Sequence, residues 1–214
     1  MALIELVTHV HDVIAAFATG KLVLIVDDER EHEGDVAIAA NRVDAAAVTF
    51  MATQARGLVC VPMLGSRLDE LELPLMAGPR RTSDLPAFTV SVDAREGVTS
   101  GISAEDRAKT VRALIDRRTQ PTDLIRPGHV FPLRYEEGGV LTRPGHTEAA
   151  VDLARLAGCY PAAVICEVMN DDGTMARRGQ LEPFAERYQL PVITIAQIIE
   201  YRRRTEAMQL FRGN

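Results

Sequence analysis

Tryptophan is absent from this 214-residue chain, and aromatic residues make up only 5% of it. The formal net charge at pH 7 is -6, so the chain lacks the excess of basic residues typical of nucleic-acid-binding proteins. Without basic patches and stacking rings, a general nucleic-acid surface is not expected. The local basic cluster Arg202-Arg203-Arg204 falls near the end of a predicted C-terminal helix, where cations complement the helix dipole.

Long apolar runs are also missing. No apolar stretch approaches the roughly 20 residues that a membrane-spanning helix needs, and the N-terminus has no basic region followed by an apolar one. The three cysteines, Cys60, Cys159 and Cys166, form no CxxC pair, so neither a disulfide framework nor a zinc knuckle is indicated. We therefore predict a protein of the reducing cytoplasm that is neither secreted nor bound to a membrane.

The pattern of apolar residues predicts one domain over residues 1–214, because no linker-like stretch interrupts it. Helices are expected at 6–19, 44–55, 66–72, 103–116, 147–157, 181–189 and 196–204, and strands at 21–26, 36–40, 58–62, 88–93, 129–134, 162–168 and 191–195. The strands around 21–40 look like a hairpin, which rules out a purely parallel βαβ series. We expect an α+β (mixed α/β) fold, with a mixed sheet between helices on both faces.

Six carboxylates crowd into nine residues at the connection between the first two predicted strands. They are Asp27, Asp28, Glu29, Glu31, Glu33 and Asp35. Such a density of like charge costs stability unless a cation relieves it. Carboxylate oxygens suit a hard ion such as Mg²⁺, which often takes only one or two protein ligands. A solvated acidic loop and a metal or phosphosugar site both remain open for this segment.

A second cluster, Thr142–Glu148, directly precedes a predicted helix. Arg143 offers bidentate donors, and Gly145 lets the backbone approach a ligand closely. Thr147 is a good N-cap residue, and the first amides of a helix attract anions. The segment thus predicts an anion site, while a plain cap with a surface arginine remains the alternative.

The tetrapeptide Arg-Pro-Gly-His occurs twice, and each copy is predicted to place a histidine, His129 or His146, just after a tight turn. Imidazole can bind a metal or move protons near neutral pH. Glu167 ends the apolar stretch 162–166, where it could serve as a general acid or base or form a structural pair. Cys60, inside LVCVP, is expected to be a core residue.

Together these segments resemble the 3,4-dihydroxy-2-butanone 4-phosphate synthase family, from about residue 8 to 204. The resemblance is carried by DDEREHEGD (27–35), FTVSVDAREGVTSGISAEDRAKTVRALID (88–116), DLIRPGHVFPLR (123–134), GGVLTRPGHTEAAVDLARLAG (138–158) and ICEVMNDDGTMAR (165–177). It implies an enzyme that converts D-ribulose 5-phosphate to L-3,4-dihydroxy-2-butanone 4-phosphate and formate for riboflavin biosynthesis. The implied steps are enediol formation, dehydration, skeletal rearrangement and loss of one carbon.

The resemblance also implies roles for individual residues. Glu31 and His146 would bind Mg²⁺, for which Mn²⁺ could substitute, and His129, Glu167, Asp35 and Cys60 would take part in catalysis, with Cys60 on a mobile loop. The substrate would contact Arg30, Glu31, Asp35, Arg143, Pro144, Gly145, His146, Thr147 and Glu167. The phosphate would lie at 143–147.

The family resemblance further implies a three-layer α-β-α fold and a homodimer whose sites are completed across the subunit boundary. Because the chain ends at Asn214, we expect no GTP cyclohydrolase II domain, which some relatives carry, and hence a monofunctional protein. Two departures from the family stand out: His32 replaces an Asn, and Leu85-Pro86-Ala87 replaces a Gly-Thr pair. Thr82 or Ser83 could supply the missing hydroxyl, and Arg80-Arg81 could reinforce anion binding or face solvent.

Two other functions stay open beside an active synthase, the first because of the departures at Pro86 and His32 and the second on the general architecture alone. One is a weakened relative that binds a phosphosugar or a metal but releases little or no formate. The other is a nucleotide- or RNA-binding module of similar layered fold, which would require a basic groove that the net charge of -6 does not suggest.

Overall fold

A seven-stranded sheet runs through the computed structural model, which describes residues 8–76 and 85–212. The strands are β1 (Val23–Val26), β2 (Gly34–Ala39), β3 (Cys60–Met63), β4 (Val92–Ala94), β5 (Leu124–Arg134), β6 (Ala163–Glu167) and β7 (Val192–Thr194). They lie in the order β4-β5-β3-β6-β2-β1-β7. β1 pairs with β7 in parallel and β3 with β5 in parallel, while β1 and β2 form an antiparallel hairpin. The predicted mixed sheet and its hairpin are confirmed.

Helices cover both faces of the sheet. They are α1 (Val10–Ala18), α2 (Ala45–Phe50), α3 (Gly65–Glu70), α4 (Ala104–Ile115), α5 (His146–Leu156), α6 (Arg178–Tyr188) and α7 (Ile195–Arg212). Along β1, Val23 and Ile25 pack into one core cluster, and Leu24 and Val26 into the other, because successive side chains of a strand point to opposite faces. The first cluster also holds buried residues of α1, α5 and α7, and the second those of α2, α3, α4 and α6. This is the expected three-layer arrangement.

The start of one predicted strand is wrong, at the first Arg-Pro-Gly-His copy. The first Arg-Pro-Gly-His copy lies inside β5, which begins at Leu124 instead of residue 129. β4 pairs with both ends of this segment through a register shift between Val92 and Asp93. Gly128 makes the pairing possible, because a Cβ there would lie 2.0 Å from the Val92 carbonyl carbon. Residues 126–129 lie between the paired positions Ile125 and Val130 and have no register partner on β4, so they form a bulge within β5.

Several element ends also differ from the predictions. α7 continues to Arg212, so the basic cluster at 202–204 lies within the helix and not near its end. α1 begins at Val10, and residues 6 and 7 of the predicted first helix lie outside the described residues. Arg80, Arg81, Thr82 and Ser83 lie outside them as well. In the part of the chain that the structure describes, no helix has the length and hydropathy required to cross a membrane.

Candidate active site

Asp27 organises the hairpin loop, residues 27–33, which connects β1 to β2. Its buried carboxylate accepts hydrogen bonds from the backbone amides of Glu29 (3.2 Å), Arg30 (2.9 Å) and Glu31 (3.4 Å). The side chains of Arg30 and Glu31 are thereby left to line the cavity described below. One of the six acidic residues thus shapes the loop, while Glu31, Glu33 and Asp35 line the cavity.

Asp35 and Glu167 lie side by side where β2 and β6 pair. They are direct partners in the antiparallel register, so their side chains share one face of the sheet. Burial raises the pKa of Asp35 from 3.8 to about 7, the His146 imidazole opposes this rise, and Glu167 adds to it. Glu167 is held by the backbone amide of Leu58, which donates to Oε2 at 2.8 Å. Residue 57 must be glycine, since a Cβ there would lie 2.5 Å from Oε2.

The residues before α5 form the arginine loop, residues 136–145. Gly145 is the N-cap of α5, and Thr147 is buried in its first turn, so the predicted cap at Thr147 is wrong by two positions. The Arg143 side chain is only 12% exposed and pairs with the buried carboxylate of Glu148. Arg143 is therefore not a surface residue, which removes the plain-cap alternative for this segment.

His146, the first residue of α5, faces the hairpin loop. Its Nδ1 lies 3.9 Å from Glu31 Oε2, which is too long for a hydrogen bond. Its Nε2 is buried and has no hydrogen-bond partner among the described residues. A buried imidazole nitrogen without a partner is costly unless a ligand satisfies it. Within residues 8–76 and 85–212 no three His, Cys, Asp or Glu side chains form a cluster that could hold a metal ion.

A cavity of about 500 Å³ gathers almost all of the predicted site residues. Those that line it are Arg30, Glu31, Asp35, Cys60, Arg143, Pro144, Gly145, His146, Thr147 and Glu167. Carboxylates of the hairpin loop and the sheet lie on one side, and the arginine loop with the start of α5 lies on the other. Arg30 Nη1 joins the two sides by donating to the carbonyl of Pro144 at 3.3 Å.

His129 is the exception, because it does not line this cavity. It lies in β5, with its Nδ1 2.7 Å from Asp93 Oδ2 and its backbone amide donating to Asp93 Oδ1 at 2.9 Å. Its side chain is 43% exposed, while that of Asp93 is 9% exposed. Within one chain, His129 therefore does not meet Glu31, His146 and Glu167 at this cavity. The imidazole is nevertheless oriented by a buried carboxylate, as an acid-base group requires.

Cys60 lies in strand β3 with 2% exposure, so the expected mobile loop is wrong and the expected core position is confirmed. Its backbone pairs with Phe131 of β5 and Ile165 of β6. Burial, followed by the charges of Glu167 and Asp35, raises the pKa of its thiol. Cys60 therefore forms part of the cavity wall with its thiol protonated.

One charged residue of the cavity, Arg177, was missed in the sequence, and Glu33 was named only as a member of the acidic cluster. Arg177 donates from Nη1 to the Glu31 carbonyl and lies 2.9 Å from the carboxylate of Glu33. Both side chains line the cavity. Arg177 ends a segment that resembles the family, but no local pattern links it to a loop almost 150 residues earlier. Only the fold of the chain brings the two together.

The structure bears on both departures from the family, His32 in the hairpin loop and Pro86 before residue 88. His32 has φ 58°, in the left-handed region that Asn, Asp and His enter more readily than other non-glycine residues. Exchange of Asn for His is therefore compatible with this turn. Pro86 lines the cavity, so the second departure falls at the site itself.

Comparison with known proteins identifies similar chains. A family model described as 3,4-dihydroxy-2-butanone 4-phosphate synthase matches residues 11–201. A protein of that name from Agrobacterium fabrum is 55% identical over 196 residues, which covers 91% of this chain and 92% of the relative. A solved structure of 3,4-dihydroxy-2-butanone 4-phosphate synthase in complex with two magnesium ions has a TM-score of 0.88 and 42% identity, and the match covers 93% of this chain and 98% of that one.

Some relatives are much longer than this chain. The riboflavin biosynthesis protein RibBA of Synechocystis is 57% identical over 192 residues, and the match covers 88% of this chain. The chain spans about a third of that protein, 34% of its length.

Proposed function

Because this chain belongs to the 3,4-dihydroxy-2-butanone 4-phosphate synthase family, we propose that its cavity converts D-ribulose 5-phosphate to L-3,4-dihydroxy-2-butanone 4-phosphate and formate, a reaction of riboflavin biosynthesis. One observation carries the proposal: a single cavity joins the acidic hairpin loop to the arginine loop. A phosphosugar has both an anionic end and several hydroxyl groups, and the two sides of the cavity match them. The cytoplasmic location is part of the proposal, since all three cysteines are free.

The phosphate would bind at 143–147. Arg143 supplies a guanidinium, and the first amides of α5 point toward the same space, where the helix dipole favours an anion. Glu148 holds Arg143 through a buried ion pair and so fixes its direction before substrate arrives. The sugar chain would extend toward Glu31, Asp35 and Glu167.

Glu31 and His146 would hold Mg²⁺, with Mn²⁺ as the possible substitute. The Glu31 carboxylate faces His146 Nδ1 at 3.9 Å, too far for a direct hydrogen bond, so an ion between the two fits this role, and waters or sugar hydroxyls would complete the shell, as Mg²⁺ prefers. When bound, the ion stabilises the negative charge that develops on the sugar oxygens. Arg177 holds the backbone of the hairpin loop at Glu31 and so restricts the position of this ligand.

Proton transfers would fall to Asp35 and Glu167, which share one face of the sheet. With a pKa of about 7, Asp35 exists in both protonation states near neutral pH and can donate or accept a proton. Glu167 reaches the same space with one oxygen held by the Leu58 amide. Cys60 would contact substrate as part of the wall.

His129 would reach the reaction from a second copy of the chain, in a homodimer whose sites are completed across the boundary. Two large apolar side chains close to it are exposed: Ile102 at 52%, which follows Gly101, where a Cβ would lie 2.8 Å from His129 Nδ1, and Ile125 at 41%, which belongs to the same strand β5. Exposed apolar residues that cluster near an oriented acid-base group are expected at an interface. The proposed interface would cover them and bring His129 toward the partner's cavity.

The test is formate release from ribulose 5-phosphate by the purified protein, with Mg²⁺ and with EDTA. Formate that appears only with Mg²⁺ is the expected result, and Mn²⁺ should restore it after EDTA treatment. No formate from folded protein under either condition would overturn the proposal. If such a protein still bound inorganic phosphate, it would be the weakened relative, and Pro86 would be the first position to exchange.

The dimeric site has its own test. Glu167→Gln and His129→Ala should each abolish turnover, and a mixture exchanged through the unfolded state should recover about a quarter of wild-type activity. Half of the dimers then contain one chain of each variant. In such a dimer one of the two sites has both an intact Glu167 and an intact His129, so a quarter of all sites are active. If the mixture stays inactive while the wild type survives the same treatment, His129 does not act across the boundary.

A further inference from the structure

Arg202 differs from its basic neighbours in α7. Arg203 and Arg204 are exposed, but the Arg202 side chain is only 16% exposed. Its Nη1 donates to Asp152 Oδ2 at 2.7 Å and to the Gly138 carbonyl at 2.8 Å. Glu206 accepts from the other side of the guanidinium. Arg202 therefore does more than complement the helix dipole, because it bridges α7, α5 and the arginine loop.

Asp152 connects Arg202 to the arginine loop. Its carboxylate is 2% exposed and accepts from the backbone amide of Val140 and from the hydroxyl of Tyr135, both at 2.9 Å. Gly139 has φ 66°, and a Cβ there would lie 2.3 Å from Asp152 Oδ2. The backbone of the arginine loop thus packs directly against the buried carboxylate of Asp152, whose charge Arg202 neutralises.

Glu148 lies one helical turn before Asp152 and holds both ends of the same loop. It accepts from the backbone amide of Glu136 at 3.1 Å and pairs with Arg143. The two buried carboxylates of α5, those of Glu148 and Asp152, therefore bind the arginine loop at residues 136, 140 and 143. Of the two, Asp152 is the one compensated by a cation from another helix.

We propose that Arg202 is a positioning residue for the arginine loop: through Asp152 and the Gly138 carbonyl it sets the position of Arg143 for binding the substrate phosphate, without itself contacting substrate. The proposal rests on the proposed function, since it assumes that this loop binds phosphate. It assigns a role in substrate affinity to the C-terminal helix.

The test compares Arg202→Gln with Arg204→Gln, a matched loss of charge two residues along the same helix. A second control, Glu206→Gln, removes one partner of Arg202 but leaves its contacts with Asp152 and Gly138. For Arg202→Gln, KM for ribulose 5-phosphate should rise about tenfold while kcat stays within about twofold. This pattern is expected when a variant loses an interaction that stabilises the bound substrate and the transition state equally. The Kd for inorganic phosphate, measured by calorimetry, should rise by the same factor, and the Kd for Mg²⁺ should stay unchanged. Both controls should match the wild type.

A merely structural role would lower the melting temperature and leave KM and both Kd values unchanged, and that result would overturn the inference. Equal losses of phosphate and Mg²⁺ affinity would overturn it too. If Arg202→Gln does not fold, Tyr135→Phe removes a single hydrogen bond to Asp152 and should weaken phosphate binding two- to threefold; an unchanged Kd then contradicts the inference. Wild-type protein that binds no phosphate and releases no formate would refute the proposed function itself, whereas wild-type behaviour of Arg202→Gln refutes only the role of Arg202.

Discussion

Asp35 and Glu167 are direct partners across the antiparallel strands β2 and β6, so that two carboxylates share one face of the sheet at the cavity. Asp35 is 4% exposed, and its burial raises its pKa to about 7. Two neighbouring carboxylates in a poorly solvated site cannot both ionise without cost. The pair therefore places two carboxyl groups at one cavity.

This pairing predicts an unusual pH dependence of stability in EDTA. Because the pKa of Asp35 is raised on folding from 3.8 to about 7, the folded state retains a proton that the unfolded state loses between these values. Its contribution to stability is fully present below pH 3.8 and is lost as pH rises through about 7. The loss is up to about 4 kcal/mol.

Asp35→Asn removes this titration. Urea unfolding measures the free energy of unfolding at pH 5 and at pH 8. From pH 5 to pH 8 this free energy should fall by a few kcal/mol more in the wild type than in the variant. Glu137→Gln, at an exposed position in the arginine loop, should follow the wild type. Parallel curves for Asp35→Asn and the wild type would contradict the raised pKa.

The metal proposal predicts a difference between two glutamates of the hairpin loop. Glu31→Gln should lower Mg²⁺-dependent formate release at least about 100-fold, because a neutral amide is a poor ligand for a hard cation. Glu29→Gln, an exposed position two residues earlier, should retain activity. Calorimetric titration with Mg²⁺ should show weakened binding only for Glu31→Gln, and equal affinity in both variants would exclude Glu31 as a ligand.

The Asp93–His129 contact predicts that Asp93 acts through orientation of the imidazole. Asp93→Asn retains the shape of the side chain but loses the charge that faces Nδ1, so kcat should fall about 10- to 100-fold with little change in KM. Glu96→Gln, an exposed carboxylate in the following loop, is the control. The measurement is the steady-state rate of formate release. An unchanged kcat in Asp93→Asn would show that the contact between Asp93 and His129 has no part in catalysis.

The cysteines should differ in reactivity. Burial raises the pKa of the Cys60 and Cys166 thiols, so little thiolate forms at neutral pH, whereas Cys159 is partly exposed. Iodoacetamide at pH 7.5 should modify Cys159 first, as followed by mass spectrometry of peptides. Modification of Cys60 as fast as Cys159 would mean that the β3 wall opens in solution.

Much of the fold follows from patterns within short stretches of sequence. The run at 21–26 and the strand at 36–40 were predicted from β-branched composition, and their hairpin from the short connection between them. α4 was predicted at 103–116 and lies at Ala104–Ile115, with Ser103 capping it through the Asp106 amide. Such features depend on propensity and capping, which act over a few residues.

The predictions that failed depended on distant partners. The predicted start of a strand at 129 failed because β4 also pairs with Leu124 and Ile125, on the other side of the bulge at 126–129. Arg202 resembled a helix-end cation until α7 proved longer and Asp152 proved to be its partner. Likewise, the spacing between His129 and Glu167 in the sequence contains no information on whether they meet in one chain.

The sequence by itself determined which residue types could bind a phosphosugar and a metal, and where the helices and strands would form, because both depend on local composition and period. Tertiary structure alone decided which of these residues share a cavity, which carboxylate is buried enough to have a raised pKa, and that His129 lies elsewhere. The physical reason is that burial, electric field and strand register arise from contacts between segments far apart in the chain.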